Sequence, residues 1–467
     1  MTDASADAGP SSAGGLGDAI GNVSAARDVP VTRRFAVATS RRVRGRLFGP
    51  ATWLGCVLVC LQVLMACGSR TALDVPALPE PEPAEPAEDE DLPVLVCVEP
   101  AELAAGSVSV ALQTAARLAR TDVTLLVDTT ASMGDAIGQI RRRLVERIIP
   151  AIVDTLPDSH FAVAAFQDFP IGVYGAPTDR PFVLRTPVTD NVAQVQAAVE
   201  ALRLGNGRDD PESQVEALFQ LATGAGLEPY VPPAGGCPRG GVGYPCYRDG
   251  ALPLIFLFTD APMHNGPGGS EPYSPNIVPR PHTFDEAVEA LSTIGARVVG
   301  FSTGEALGRP DLEAIASATG TLDSDGAPLV VDIGRRAQNL DASVVAGFRR
   351  FVSETPFDAG AAVRDLPGEA SVAGLVESVS PVRAEPAGGA RAIDMNTFRG
   401  VRPGTRLVFR VNFADGALEP AAEARLLRFA VDFSTPDGAV LGSRIVDLRL
   451  PGTGAPTCPA TAPPEQG

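Results

Sequence analysis

The sequence predicts an α/β fold with a doubly wound, mostly parallel sheet, joined to an additional C-terminal β-sandwich domain, and three observations carry that prediction. First, the apolar run Val123-Thr124-Leu125-Leu126-Val127 leads into Asp128-Thr129-Thr130-Ala131-Ser132 and then into a helical pattern with Ile137, Ile140, Leu144, Ile148 and Ile152 on one face. Second, strand-like and helix-like segments alternate from 121 to 356, as a parallel sheet with crossover helices requires. Third, beyond 357 the period becomes two: the segments 407–413, 426–433 and 443–450 alternate and are separated by turn residues, the pattern of a sandwich spanning 357–452.

Within 121–356, strands are expected near 122–128, 160–166, 181–185, 253–259, 297–302 and 328–332. Helices are expected near 135–154, 190–203, 211–223, 283–294, 309–318 and 337–353. The stretch 93–120 contains Val108-Ser109-Val110-Ala111-Leu112, a strand available to the sandwich, which would make the α/β part an insertion. A sequential layout of two domains, closed by a tail at 453–467, is the simpler arrangement.

Composition narrows the chemistry. The chain has 467 residues, 45% of them hydrophobic, which suffices for two or three packed domains. Its formal charge is −18 and its basic side chains are all Arg. Without Lys there is no P-loop, Schiff-base or Lys-base chemistry, and the acidic balance argues against nucleic acid as a partner.

Residues 1–66 begin with a stretch rich in Ala, Gly, Ser and Asp, which reads as disordered. Arg41, Arg42, Arg44 and Arg46 then precede an apolar run that ends in Leu64-Met65-Ala66-Cys67-Gly68. This arrangement resembles a bacterial lipoprotein signal peptide. The resemblance implies cleavage before Cys67, a lipid on its thiol, and a membrane-anchored place in the cell envelope, at the outer membrane on either its periplasmic or its outer face. An uncleaved membrane helix is the alternative. Residues 67–92 are an acidic, Pro-rich tether, extended and self-repelling. With the signal removed, Cys97, Cys237, Cys246 and Cys458 remain, an even number in an exported chain, and three pairings are open. Cys237 and Cys246 would staple one loop; Cys97 and Cys458 would then tie the start of the folded region to its end.

Three loops carry oxygen ligands: Asp128, Thr130 and Ser132; then Asn206-Gly207-Arg208-Asp209-Asp210-Pro211-Glu212-Ser213; then Thr259-Asp260-Ala261-Pro262-Met263-His264. Each also has a local reading. Ser132 with Asp135 makes a capping box, Asp210 with Pro211 suits a helix start, and Asp260 suits a turn. The first and third follow strands, at the edge where open α/β sheets place ligands. The D-x-[ST]-x-S pattern resembles the metal-ion-dependent adhesion site of von Willebrand factor A domains. The segments from Asp209 to Glu212 and from Thr259 to His264 resemble the integrin β-subunit type of that domain, and the likeness covers about half of the chain. It implies that Asp128, Thr130, Ser132, Glu212 and Asp260 hold Mg²⁺ or Mn²⁺. With Phe166-Gln167-Asp168, it also implies a second site, for Ca²⁺, from Asp168, Asp209, the Pro211 carbonyl and Glu212, weakened because Gly207 stands where that family has Asn. A third site is not expected, since Ala136 follows Asp135 where a second aspartate is needed.

The function this implies is cation-dependent adhesion, in which the metal captures an Asp or Glu carboxylate of a protein or polypeptide ligand. Recognition is expected from the flanking loops 229–250 and 265–282, through Tyr230, Tyr244, Tyr247 and Tyr273. The alternatives are an envelope assembly scaffold with a structural cation and, less favoured, a metal-assisted hydrolase. The sequence has only His160, His264 and His282 and no G-x-S-x-G elbow, so no enzyme is expected.

Overall fold

The computed structural model describes residues 92–303 and 307–453. The signal-like segment, Cys67, the tether up to residue 91 and Cys458 lie outside the described residues. The described chain opens with strand β1 (Val94–Cys97), a short helix α1 (Pro100–Ala105) and β2 (Ser109–Ala115). Next come β3 (Arg120–Asp128), α2 (Gly134–Arg143), a π-helical turn (Leu144–Ile148) and α3 (Ile149–Thr155). They are followed by β4 (Asp158–Phe166), β5 (Val183–Thr189), α4 (Val192–Glu200), α5 (Gln214–Thr223) and β6 (Leu252–Thr259). The α/β part ends with α6 (Phe284–Thr293), β7 (Arg297–Ser302), α7 (Arg309–Ala318), β8 (Val330–Asp332) and α8 (Leu340–Glu354).

Strand order in this sheet is β5-β4-β3-β6-β7-β8. All neighbours are parallel except β4 and β5, which are antiparallel. The sheet is buried on both faces, and its central strand shows why in sequence. Val123, Leu125 and Val127 of β3 pack with Ile137 and Ile140 of α2, Val195 of α4 and Val344 of α8. Leu126 faces the other way, into a core that includes Leu218 of α5, Leu291 of α6 and Ile315 of α7. A near-continuous apolar run is what a doubly covered parallel strand needs. Running outward from β3, the chain builds β4 and β5 on one side and β6, β7 and β8 on the other. The order therefore reverses between β3 and β6, the place where such sheets open a crevice at their carboxyl ends.

The remaining strands are β9 (Phe357–Asp365), β10 (Val376–Glu385), β11 (Ala392–Ile393), β12 (Thr397–Val401), β13 (Arg406–Phe413), β14 (Arg425–Ser434) and β15 (Val440–Leu450). They form a six-stranded sheet, β1-β15-β14-β9-β12-β11, and a three-stranded sheet, β10-β13-β2. Residues of both, among them Val110, Phe409, Phe429 and Phe433, share one buried core. The leading segment thus contributes to each sheet: β1 pairs in parallel with β15, and β2 antiparallel with β13.

Cys237 and Cys246 are bonded to each other, and Cys97 is also in a disulfide. The Cys237–Cys246 staple closes a loop with a sequence separation of 9 residues just before Tyr247 and Arg248. Replacing both cysteines with Ser is expected to lower unfolding stability by about 2–3 kcal/mol, from the larger entropy of the open unfolded loop. Urea unfolding of the oxidised wild type beside the double variant measures it.

Candidate metal centre

The site begins where β3 leaves the sheet. The Asp128 side chain is fully buried. Its Oδ1 accepts hydrogen bonds from the Thr130 backbone N–H (2.8 Å) and the Thr130 hydroxyl (2.7 Å). Its Oδ2 accepts from the hydroxyl of Thr259, the last residue of β6, at 2.7 Å. From Thr130 the chain of oxygens continues: Thr130 Oγ1 lies 3.3 Å from Ser132 Oγ, and Ser132 Oγ donates to Asp260 Oδ1 at 3.0 Å. The Ser132 hydroxyl is therefore turned to Asp260, and neither Thr130 nor Met133 at the following helix starts makes a side-chain cap. The capping-box reading of Ser132 and Asp135 does not hold.

Backbone bonds bring the three loops together. Thr129 N donates to Phe166 O, and Gly205 N donates to Thr129 O. Glu212 N donates to Pro262 O at 3.0 Å and His264 N to Glu212 O at 2.9 Å, so the second and third loops are laced as a short parallel bridge. This bridge corrects the expected helix start near 211: α5 begins at Gln214, after Asp210, Pro211 and Glu212 have run alongside the third loop. The lacing delivers the Glu212 carboxyl to the centre, where it is buried and its Oε2 has no hydrogen-bond partner. Gly207 has φ 56°, and a Cβ there would sit 3.0 Å from Glu212 Oε1, so the backbone fits closely around that carboxyl.

The electrostatics are those of an anionic centre short of positive charge. Burial pushes the Asp128 carboxyl up to about 6, against the hydrogen bonds from Thr130. Burial, then the negative charges of Asp128, Asp168, Asp209 and Asp179, push Glu212 up to about 11. A group so placed stays protonated at neutral pH or shares its site with a cation. The donor set fits a hard cation: adjacent oxygens around an octahedral Mg²⁺ stand about 3 Å apart, and the steps from Asp128 to Thr130, Ser132 and Asp260 are 2.7, 3.3 and 3.0 Å. Thr130, Ser132, Glu212 and Asp260 line an open cavity of about 350 Å³.

A second cluster adjoins it. The Asp168 side chain is fully buried, with Oδ1 accepting from Phe169 N at 2.6 Å and from the Tyr273 hydroxyl. His264 Nε2 lies 3.4 Å from Asp168 Oδ2 and 3.3 Å from Asp209 Oδ2. Asp168 Oδ2, Asp209 Oδ1 and His264 Nε2 all lack an aligned hydrogen-bond partner. His264 Nδ1 meets the Glu271 carbonyl at 2.8 Å, which places a proton on Nδ1 and directs Nε2 at the two carboxylates. Burial disfavours the imidazolium, but Asp168 outweighs it and holds His264 above its ordinary value. Asp168, Asp209 and His264 thus have the spacing of a three-ligand metal group. Of the second site expected from Asp168, Asp209, the Pro211 carbonyl and Glu212, the two aspartates are in this group, and His264 is its third member. Pro211 is half-buried in the same loop as Asp209.

The tyrosines expected to read a ligand are elsewhere. Tyr247 is fully buried beside the middle of β3, with its hydroxyl 2.9 Å from Thr124 Oγ1. Tyr273 is buried against Asp168. Tyr230 and Tyr244 are half-buried against the core, with hydroxyls donating to Val278 O (3.3 Å) and Pro232 O (3.0 Å). These rings pack the loops onto the sheet rather than presenting themselves. Asp135 is exposed and 3.7 Å from Arg336, away from any ligand cluster.

Solved structures similar to this chain include a von Willebrand factor type A protein from Catenulispora acidiphila, at 14% identity over 74% of this chain and 70% of that one, TM-score 0.33. They also include proximal thread matrix protein 1 from the mussel byssus, at 13% identity over 51% of this chain and 49% of that one, TM-score 0.30. A third is the pilus adhesin SpaC from Lactobacillus rhamnosus GG, at 10% identity over 74% of this chain and 45% of that one, TM-score 0.32. No family model and no curated protein matches the sequence. Among the described residues no helix is long and apolar enough to cross a membrane.

Proposed function

We propose that this chain is a cation-dependent binding protein of the von Willebrand factor A kind, carried on a lipid-anchored envelope protein, with the α/β part inserted into a β-sandwich. The observation that supports it best is the run of oxygens from Asp128 through Thr130 and Ser132 to Asp260, set beside the partnerless Glu212 Oε2 where the strand order reverses. In this reading Asp128, Thr130, Ser132 and Asp260 hold Mg²⁺ or Mn²⁺, with Glu212 beside them. Such an ion keeps exchangeable water positions. The protein's part is to fix these oxygens and leave the open cavity as the approach for an Asp or Glu of a polypeptide ligand. Asp168, Asp209 and His264 hold a second cation, and the imidazole favours a transition metal over Ca²⁺ there. The hydroxyl-rich shell lacks a nucleophile with a partnered base, so the proposed role is binding rather than catalysis.

Calorimetric titration of Mg²⁺ and Mn²⁺ into the full chain, wild type beside Asp128→Ala, tests the centre. Loss of the carboxylate is expected to weaken binding by more than about 100-fold. Capture of envelope proteins by the same two proteins, with Mg²⁺ and with chelator, tests the role. Adhesion requires a partner held only by wild type with Mg²⁺; equal capture in every arm favours the scaffold reading.

A further inference from the structure

Beside the metal centre, toward the antiparallel edge strand β5, lies a second cavity of about 180 Å³. Thr129 and Gly205, which belong to the loops of the centre, form part of its wall, and Arg180, Arg185 and Arg203 line it. None of the three guanidinium groups pairs with a carboxylate among the described residues. Arg180 Nη1 donates to Pro177 O (3.3 Å) and Asp179 O (2.7 Å). Arg203 Nη1 donates to Glu200 O (2.8 Å) and Leu202 O (3.0 Å). The Arg185 guanidinium has neither a hydrogen bond nor an ion pair among the described residues. Burial and then the charge of Arg203 hold Arg185 below its ordinary value.

The one carboxylate in the wall does not neutralise them. Asp179 is fully buried and turned to the backbone, accepting from Ala176 N (2.7 Å), Asn206 N (3.4 Å) and Gly207 N (3.1 Å). Gln167 fixes the walls: its Nε2 donates to Thr129 Oγ1 (3.0 Å) and Arg203 O (3.4 Å), and its Oε1 accepts from Arg180 N (3.0 Å). Three like charges are thus gathered in a chain whose net charge is −18. Guanidinium forks match carboxylate oxygens two at a time. A volume of about 180 Å³ is smaller than the roughly 300–1,000 Å³ of drug-sized ligand pockets, so a single acidic group is the fitting occupant.

We propose that the Arg180, Arg185 and Arg203 cavity binds a second acidic side chain of the same polypeptide whose first carboxylate is taken at the metal centre. The ligand is then a segment with two acidic residues close in sequence, one on the cation and one on the arginines. The identity of the ligand as a polypeptide rests on the function proposed above; the anion pocket itself does not.

The test has two arms, each on the full chain, with Arg185→Ala/Arg203→Ala as the variant, and circular dichroism checks the fold. In chelator, inorganic phosphate is the probe: it should raise the unfolding temperature of wild type and have less effect on the variant. With Mg²⁺, synthetic peptides carry one Asp, or two Asp at spacings of one to four residues. The best two-Asp peptide should bind wild type about tenfold more tightly than the one-Asp peptide, and the variant should bind both alike. No phosphate effect, or equal binding of the two peptides to wild type, overturns the proposal. Peptide binding that ignores Mg²⁺ but needs the arginines overturns the metal reading and supports the arginine pocket.

Discussion

Stripped of divalent cations, the protein will lose stability as the pH rises from about 4 to 8, and Mg²⁺ will restore it. Asp128 is raised from 3.8 to about 6 and Glu212 from 4.5 to about 11, in both cases chiefly by burial. Between its ordinary and its raised value, each acid keeps its proton in the folded chain while the unfolded chain has lost it. Folding therefore binds protons in that window, and stability falls as they are removed. For Asp128 the window closes near pH 6; for Glu212 it extends past neutrality. The Asp128 contribution alone is roughly 3 kcal/mol. Asp168 and Asp209 are also raised by burial and add to the trend in the same direction. Scanning calorimetry in chelator should show a fall in Tm of more than about 5 °C across this range. Glu212→Gln should flatten part of the fall, since its amide stays neutral, and should respond less to added Mg²⁺. A chelated wild type with a flat profile would overturn the assignment of these acids to a cation site.

Why the sequence discloses the first centre and only part of the second follows from which contacts are local. Asp128, Thr130 and Ser132 alternate along one short loop, and the fold class itself places the end of β6, with Thr259 and Asp260, beside them. Periodicity suffices for that, because the apolar runs of β3 and β6 are unmistakable. His264 is different. Its relation to Asp168 and Asp209 depends on the parallel bridge between Glu212 and Met263 and on the tautomer set by Glu271, neither of which a motif encodes. The arginine cavity is further still from view: Arg203 comes from a different segment than Arg180 and Arg185, and Gln167 joins the two through Arg203 O and Arg180 N. The tyrosines misled because loops rich in Gly and Pro read as exposed, whereas these loops fold back so that Tyr273 seals Asp168 and Tyr247 enters the core. Strands β9 and β10 carry no clear alternation, being rich in small residues or interrupted by Pro381. They are held by non-local pairing with β14 and β13.

Arg248→Ala will be the most destabilising single change away from the site, at about 3–5 kcal/mol, because it uncovers a buried charge. Asp122 is fully buried near the amino end of β3, and burial raises its carboxyl despite Arg248. Arg248 meets it through Nε at 2.7 Å and through its own backbone N–H at 2.6 Å, and reaches Asp158 at the start of β4 through Nη1 at 2.6 Å. One guanidinium thus fastens the amino ends of two central strands. Truncation leaves the backbone bond but removes the charge, so Asp122 must take up a proton or draw in water. Asp122→Asn in the same chain removes the stranded charge, and the double variant should be more stable than Arg248→Ala alone. Urea midpoints for the four proteins of this cycle measure the coupling. The pair lies six residues up β3 from Asp128, roughly 20 Å from the proposed cation. Mg²⁺ affinity of the folded Arg248→Ala protein should therefore equal that of wild type. Were the affinity to fall with the stability, the two ends of β3 would not be independent, and the centre would owe its geometry to the strand's anchorage as well as to its own loops.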